Sequence, residues 1–110
     1  MSFYENAAAE FRKKYELPNA LTISSLSLQQ NLIAEEYVEL NQAYNVLKKD
    51  ITNLRAREEM LKELADLLYV IHQMAACFDW DLQTAHNRVH ESNLSKLGPD
   101  GKPIRREDGK

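Results

Sequence analysis

The chain carries neither glycine nor proline between residues 19 and 97, and this absence constrains its fold more than any other feature. Its three glycines are Gly98, Gly101 and Gly109. A β-rich fold needs such residues for its tight turns, so we expect the interval to be helical. The same absence excludes phosphate-binding loops that depend on glycine, because those loops bring the backbone close to phosphate with no Cβ in the way.

Length and composition are those of an ordinary single-domain protein, so we expect one domain over residues 1–110. A formal charge of −3 does not favour a protein that coats nucleic acid. The single cysteine, Cys77, excludes an intramolecular disulfide and favours a reducing compartment. The N-terminus lacks a basic stretch followed by an apolar run, and the longest mainly apolar stretch is too short to span a bilayer. We therefore expect a cytoplasmic protein that binds neither nucleic acid nor a membrane.

Helix-forming composition and stop signals divide the chain into segments of an all-α bundle. Four helices are predicted, over residues 3–15, 28–49, 54–78 and 82–97. Ser27 and Gln30 have the spacing of a capping box and are expected to begin the second helix after a linker rich in Ser and Thr. Asp79 and Asp81 offer a cap for the fourth helix, and Gly98 and Pro99 close it. The polar tail over residues 98–110 is a candidate for disorder.

Acidic side chains lie within the expected apolar faces of two helices. On the second helix, Glu36 and Glu39 fall within about 40° of Leu32 on a helical wheel, inside the apolar stripe. Glu35 lies at the margin of that stripe, so all three carboxylates are expected to converge. On the third helix, Glu63 and Asp66 lie three residues apart and face the same apolar side. Both pairs are therefore expected to point into the protein.

Converging carboxylates in apolar surroundings are costly unless cations or protons neutralise them. Mg²⁺ prefers oxygen ligands and keeps positions for water and phosphate, so the two acid pairs favour a divalent-metal site. Two other interpretations stay open. A single EExxE motif usually lies on a solvated helix face, and buried acids also pair with basic residues, for which Arg55, Arg57 and Lys62 are near in sequence. An iron-carboxylate bundle is not indicated, because no His follows a Glu by three residues.

This pattern resembles the MazG-like all-α nucleoside triphosphate pyrophosphohydrolases, whose signature is EExxE followed by ExxD. The signature residues are Glu35, Glu36, Glu39, Glu63 and Asp66. Three further stretches carry the resemblance over almost the whole chain: AEFRKKYELP, ELADLLYVIHQMA and VHESNLSKLGPDGKPIRREDGK. One departure is Arg12, at a position where phage-type members often have His.

The resemblance implies Mg²⁺-dependent hydrolysis of an NTP or dNTP to the nucleoside monophosphate and pyrophosphate, as housekeeping of the nucleotide pool. It implies Glu36, Glu39, Glu63 and Asp66 as ligands of Mg²⁺, with Mn²⁺ as the alternative ion. It also implies that Glu35 assists, either by binding a further ion or by orienting the attacking water.

The end of the chain offers candidate substrate contacts. Asn93 falls within the predicted apolar stripe of the fourth helix, so we expect it to be buried and to need a hydrogen-bond partner. The resemblance implies that Asn93 and Lys96 contact substrate, while a structural hydrogen bond and ordinary helix-end charge stay open for them. Lys102, Arg105 and Arg106 would suit a tail that closes over the phosphates, although basic tails are usually solvated.

Other function classes also stay open. One alternative is a non-catalytic helical interaction module. The other is a relative that acts on dUTP alone or on phosphoribosyl-ATP. The third helix is apolar on most sides, which predicts burial against another subunit. We expect a homodimer, or a tetramer formed by two dimers, in which helices of different chains complete the bundle.

Overall fold

The computed structural model describes residues 2–103, and within that range it contains four α-helices and no β-strand. The helices are α1 (Phe3–Lys14), α2 (Ile23–Leu47), α3 (Leu54–Phe78) and α4 (Leu82–Leu94). The all-α prediction is confirmed. None of these helices is both long and apolar enough to span a lipid bilayer. The described residues form two compact units, one ending at Trp80 and the other beginning at Asp81.

Helix α2 begins five residues earlier than the sequence predicts. Thr22 is its N-cap, and the Thr22 side chain accepts a hydrogen bond from the backbone N–H of Ser25 at 3.0 Å. The capping box expected at Ser27 is wrong, because Ser27 lies inside the first turns of the helix. Ser and Thr are favoured at an N-cap and tolerated in the following turn, so the sequence offered two comparable starting points.

Helices α2 and α3 form an antiparallel hairpin, because only a short connection separates consecutive packed helices. Asn53 caps α3 by accepting a hydrogen bond from the N–H of Ala56 at 3.0 Å. Near the connection, the small side chains of Ala43 and Ala56 are buried and let the two helices approach closely. The predicted bounds of α3 are confirmed.

Helix α1 packs against the C-terminal half of α3 through aromatic and polar contacts. The ring of Tyr4 stacks on that of His72, with ring centroids 5.5 Å apart. The ring of Phe11 meets that of Tyr69 edge to face, at 5.6 Å. Arg12 is buried and donates hydrogen bonds to side-chain and backbone oxygens. The N-terminal helix is thereby fixed along the third.

Helix α3 ends without the glycine that usually occupies the left-handed position at a helix C-terminus. Asp79 adopts this conformation with φ 55°, and the N–H of Trp80 then bonds to the carbonyl oxygen of Ala75 at 2.8 Å. Aspartate tolerates the left-handed region better than most residues. A chain with no glycine over residues 19–97 can therefore still terminate a helix sharply.

The second unit contains α4 and the beginning of the tail. Of the two aspartates that the sequence offers, Asp81 caps α4, with its carboxylate accepting from the N–H of Thr84 at 3.0 Å. The helix ends at Leu94, three residues before the predicted end. Beyond it, Gly101 has φ 76°, and the N–H of Gly98 bonds to the carbonyl oxygen of Lys102 at 2.7 Å. Residues 98–103 thus form a defined turn.

Candidate active site

Four carboxylates converge between α2 and α3. Glu36 and Glu39 come from α2, and Glu63 and Asp66 come from α3; one oxygen of each lies within 4.8 Å of the others. This acid cluster is formed by the four side chains that the sequence identifies as metal ligands. The structure therefore brings the predicted ligands together, while their binding of an ion stays a prediction.

The hairpin explains why the two pairs meet. Within each helix the two acids are three residues apart, which places them on one face. Because α2 and α3 run antiparallel, positions at similar distances from the connection lie opposite each other. Glu39 and Glu63 are nearer the connection, and Glu36 and Asp66 are farther from it. The pairs are consequently in register across the helix interface.

The acid cluster is short of positive charge and of hydrogen-bond donors. Glu39 is exposed and the Asp66 side chain is 40% exposed, so the expectation that both pairs point into the protein is wrong for Glu39. Only 7% of the Glu63 side chain is exposed. Its Oε2 and the Oε2 of Glu36 are both buried without a hydrogen-bond partner. Burial raises the pKa of Glu36, and the neighbouring carboxyl of Glu39 raises it further, as do the charges of Asp66 and Glu63. Unpartnered carboxylate oxygens that converge fit a hard divalent cation such as Mg²⁺.

Lys62 supplies a cation to this cluster from within the chain. Its Nζ lies 3.3 Å from Oε1 of Glu63 and 3.0 Å from Oδ2 of Asp66. Hydrogen bonds to Asp66 and Glu63 raise the pKa of Lys62. Within residues 2–103, no ion pair joins Arg55 or Arg57 to these acids. Of the three basic residues that the sequence offers as partners, Lys62 is the one in contact.

A cavity of about 410 Å³ adjoins the acid cluster. Glu39 and Glu63 form part of its wall, together with Lys62 and with Gln42 and Glu59. The cavity thus brings solvent-accessible space next to two of the four converging carboxylates. A polar group that entered it would meet carboxylates, an amide and an ammonium.

Glu35 does not join the acid cluster. Its side chain is exposed, and it is not among the four acids whose oxygens converge. The expected convergence of all three α2 carboxylates is therefore wrong. Consecutive helix positions differ by about 100°, so Glu35 and Glu36 cannot face the same neighbour equally. The assisting role of Glu35 stays a prediction.

The substrate contacts predicted near the end of the chain, where the structure describes them, lie in the second unit. Asn93 is exposed, so its expected burial is wrong; α4 buries none of its residues. Its Oδ1 accepts a hydrogen bond from Nζ of Lys96 at 3.2 Å. Lys102 belongs to the turn that follows α4, and its N–H bonds to the Asp100 side chain at 2.9 Å. Arg105 and Arg106 lie outside the described residues.

Sequence reasoning did not single out two buried glutamines on the same helix faces as the acids. Gln29 is two helical turns before Glu36, and Gln73 is two turns after Asp66. Both side chains are buried, and the Oε1 of Gln29 has no hydrogen-bond partner. Each glutamine is seven residues from an acid of the cluster, and this spacing was the feature of the sequence that could have placed it on the same helix face. Of the two, Gln73 bonds to α1, through Arg12 and the carbonyl oxygen of Ala8.

Comparison with known families adds a separate finding. The family model described as phosphoribosyl-ATP pyrophosphohydrolase matches residues 9–93. The matched region contains the whole acid cluster and Glu35, and it ends before Lys96 and the tail. No curated protein matches the chain.

Proposed function

The chain belongs to the phosphoribosyl-ATP pyrophosphohydrolase family, and on that premise we propose that it is a Mg²⁺-dependent pyrophosphohydrolase of nucleoside triphosphates. It cleaves the bond between the α and β phosphates of an NTP or dNTP and releases the monophosphate and pyrophosphate. It thereby serves as a housekeeping enzyme of the cytoplasmic nucleotide pool. The observation that carries the proposal is the convergence of four carboxylate oxygens within 4.8 Å beside an open cavity.

Glu36, Glu39, Glu63 and Asp66 would hold the ion, with Mn²⁺ able to replace Mg²⁺. When bound, the ion would neutralise phosphate oxygens and lower the pKa of a water molecule. The protein contributes the fixed geometry, because each pair of acids is held on one helix face and Glu63 is buried. The buried Oε2 atoms of Glu36 and Glu63, which lack a partner in the protein, are the groups that such an ion would satisfy.

The remaining predicted residues act on the substrate in this proposal. Glu35 is next to Glu36 in sequence but lies outside the four converging acids, which suits a residue that orients the attacking water more than a ligand of the same ion. Asn93, Lys96, Lys102 and Arg105 contact the sugar and the phosphates. They all come at or after residue 93, the end of the matched region.

The choice of an NTP follows from the residues beyond the family match. The segments SNLSK and DGKPIRREDGK support a MazG-like member; SNLSK spans the end of the match at residue 93, and DGKPIRREDGK lies beyond it. The name of the matched family favours a second candidate substrate, phosphoribosyl-ATP. Both substrates contain a nucleoside whose α and β phosphates are joined by an anhydride bond. The same four acids therefore serve the cleavage of that bond in either reaction. The two candidates differ only in the group that the rest of the protein must bind.

We also propose that the protein acts as a homo-oligomer, either a dimer or a pair of dimers. On α3, Leu61, Leu64 and Leu68 follow helical spacing and yet are 68%, 47% and 38% exposed. Such a stripe is stabilised when another apolar surface covers it. A second copy of the chain is the partner that a helical bundle of this kind most simply provides.

The proposal is tested by measuring pyrophosphate release from a panel of NTPs, dNTPs, dUTP and phosphoribosyl-ATP, with Mg²⁺ and with EDTA. Asp66→Asn and Glu63→Gln are expected to lower turnover by ~100-fold or more and to remove the Mg²⁺-dependent rise in Tm. Glu10→Gln is the matched control, because Glu10 is an acid on α1 whose side chain is paired with Lys14 and lies outside the acid cluster.

The outcomes separate the alternatives. Pyrophosphate release from an NTP or dNTP supports the proposal, and release from phosphoribosyl-ATP alone supports the second candidate. Orthophosphate as the first product contradicts cleavage between the α and β phosphates. Absence of both turnover and a saturable effect of Mg²⁺ or Mn²⁺ on Tm would identify a non-catalytic helical module.

A further inference from the structure

Lys62 occupies a position in which it and a divalent cation would compete for the same carboxylates. We propose that Lys62 is a built-in counter-cation, which neutralises Glu63 and Asp66 in the metal-free protein and weakens their affinity for the divalent ion. This inference rests on the proposed function, since it concerns the regulation of the same site. It assigns Lys62 the role of setting the metal concentration at which the site fills.

The distances show how Lys62 competes. Its Nζ lies 3.3 Å from Oε1 of Glu63 and 3.0 Å from Oδ2 of Asp66. An ion held by the same two residues would have its oxygens at about 2.1 Å, so it would lie within a few ångströms of the ammonium. Like charges at such a distance repel appreciably even in a partly solvated site. Binding of the divalent ion therefore requires that Lys62 move away or remain under repulsion.

The acid cluster is only partly neutralised by this lysine. One ammonium faces four carboxylates, and the second oxygen of Glu63 remains buried without a partner, as does the Oε2 of Glu36. A divalent ion would supply twice the charge of the ammonium, and these two oxygens are among those that would hold it. The structure thus combines a weak internal cation with a site that remains open to a stronger one.

The Lys62 side chain can also move away from the two carboxylates. This side chain is 61% exposed, and its pair with Asp66, whose side chain is 40% exposed, is the kind of solvated ion pair that contributes little to stability. The side chain borders the cavity of about 410 Å³ next to the acid cluster, so the ammonium has space to occupy when it moves away from the carboxylates. A long and flexible lysine stem allows this movement without a change in the helix.

Three variants test the proposal in protein freed of metal with EDTA. Lys62→Gln removes the charge, Lys62→Arg keeps it and strengthens the carboxylate contact, and Lys14→Gln removes a lysine from another pair spaced i,i+4. Lys14 pairs with Glu10 at 2.9 Å on α1, away from the acid cluster. Thermal unfolding is followed while MgCl₂, and separately MnCl₂, is titrated into each protein.

We expect opposite effects with and without metal. Lys62→Gln should lower Tm in EDTA, because the acids lose their counter-cation, and should lower the Kd for Mg²⁺ by about tenfold. Lys62→Arg should raise the Kd above that of the wild type, because a guanidinium binds carboxylates more firmly. Lys14→Gln should leave the Kd unchanged. The Arg variant retains the charge, so it tests the proposal even where the Gln variant fails to fold.

The result that overturns the proposal is a Kd for Lys62→Gln that equals or exceeds the wild-type value. Lys62 would then orient the carboxylates, and the proposed function would stand. A saturable response in Lys62→Gln where the wild type shows none supports the competition directly. No saturable response in the wild type or in either Lys62 variant overturns both this inference and the proposed metal site.

Discussion

The guanidinium of Arg12 donates a hydrogen bond to Oε1 of Gln73 at 3.3 Å, a contact between residues 61 positions apart that joins α1 to α3. Both side chains are buried. The other bonds of the guanidinium go to the Asn19 side chain at 2.7 Å and the carbonyl oxygen of Pro18 at 2.8 Å. Within residues 2–103, no carboxylate pairs with Arg12. Three neutral acceptors therefore solvate a buried positive charge.

Replacement of Gln73 is expected to destabilise the docking of α1. Gln73→Leu leaves an N–H of the buried guanidinium without its acceptor, and loss of an acceptor for a buried donor costs ~1–3 kcal/mol. It also removes the bond from Gln73 to the carbonyl oxygen of Ala8. Urea unfolding measures the free energy of unfolding, with Gln83→Leu on the exposed face of α4 as control. Equal stability of the two variants would contradict this role of the Arg12–Gln73 contact.

Neutralising Glu36 is expected to stabilise the metal-free protein and to remove the stabilisation by Mg²⁺. Burial and the neighbouring carboxyls raise the pKa of Glu36 above 4.5. The folded protein then holds the proton more tightly than the unfolded chain, so the stability of the wild type falls as pH rises from 4.5 through the raised pKa. This loss is complete above the raised pKa. The Glu36→Gln variant has no carboxyl proton to lose at this position, so it does not undergo this loss of stability.

The measurement is thermal unfolding of wild type and Glu36→Gln in EDTA across the acidic to neutral range, followed by the same series with Mg²⁺. The difference in Tm should grow with pH in favour of the variant in EDTA, and reverse when Mg²⁺ is present. Glu10→Gln is the control, because Lys14 lowers the pKa of Glu10 and the acid lies outside the cluster. Parallel curves for wild type and Glu36→Gln would show that Glu36 carries no such penalty.

The acid cluster, the start of α2 and Asn93 show which features could be predicted from the sequence and which could not. The three-residue spacing of Glu63 and Asp66 places both acids on one face of α3, so helical periodicity alone predicts that they lie together. The start of α2 could not be predicted, because Thr22 and Ser27 are both good N-caps and only the packed helix distinguishes them. Periodicity also placed Asn93 on an apolar face, but a pattern does not say whether anything covers that face.

The partner of the buried acids shows a similar limit. Arg55, Arg57 and Lys62 are comparably near in sequence, and a choice among them needs the direction of each side chain. Lys62 lies next to Glu63 and one turn before Asp66, which lets a single ammonium reach both. Charge and proximity in sequence limited the candidates to three, and three-dimensional geometry selected one.

Glu35 is expected to affect turnover without affecting metal binding. Its side chain is exposed and lies outside the four converging acids. Glu35→Gln should therefore keep the wild-type response of Tm to Mg²⁺, while kcat for pyrophosphate release falls by ~100-fold, the lower range for loss of a general base. Glu58→Gln, an exposed acid of α3, is the control. A loss of the Mg²⁺ response would instead make Glu35 a ligand of the ion.

The exposed leucines of α3 predict the state of association. Leu61, Leu64 and Leu68 form one stripe. They border a second cavity, also of about 410 Å³ but separate from the one beside the acid cluster, which Tyr4 and Tyr69 help to line and whose walls are mainly apolar. Covering such a surface removes apolar area from water at ~25 cal/mol per Å², which favours association of two copies. Light scattering at micromolar concentration should therefore report a dimer or tetramer for the wild type.

Leu64→Glu should shift that population to monomer, because a carboxylate would have to be buried at the subunit contact. Leu21→Glu is the matched control, since Leu21 is 82% exposed in the segment before α2 and lies outside the stripe. Circular dichroism of both variants checks that helical content is retained. A wild type that is monomeric, or a Leu64→Glu variant that associates as the wild type does, would show that this stripe is not the subunit contact.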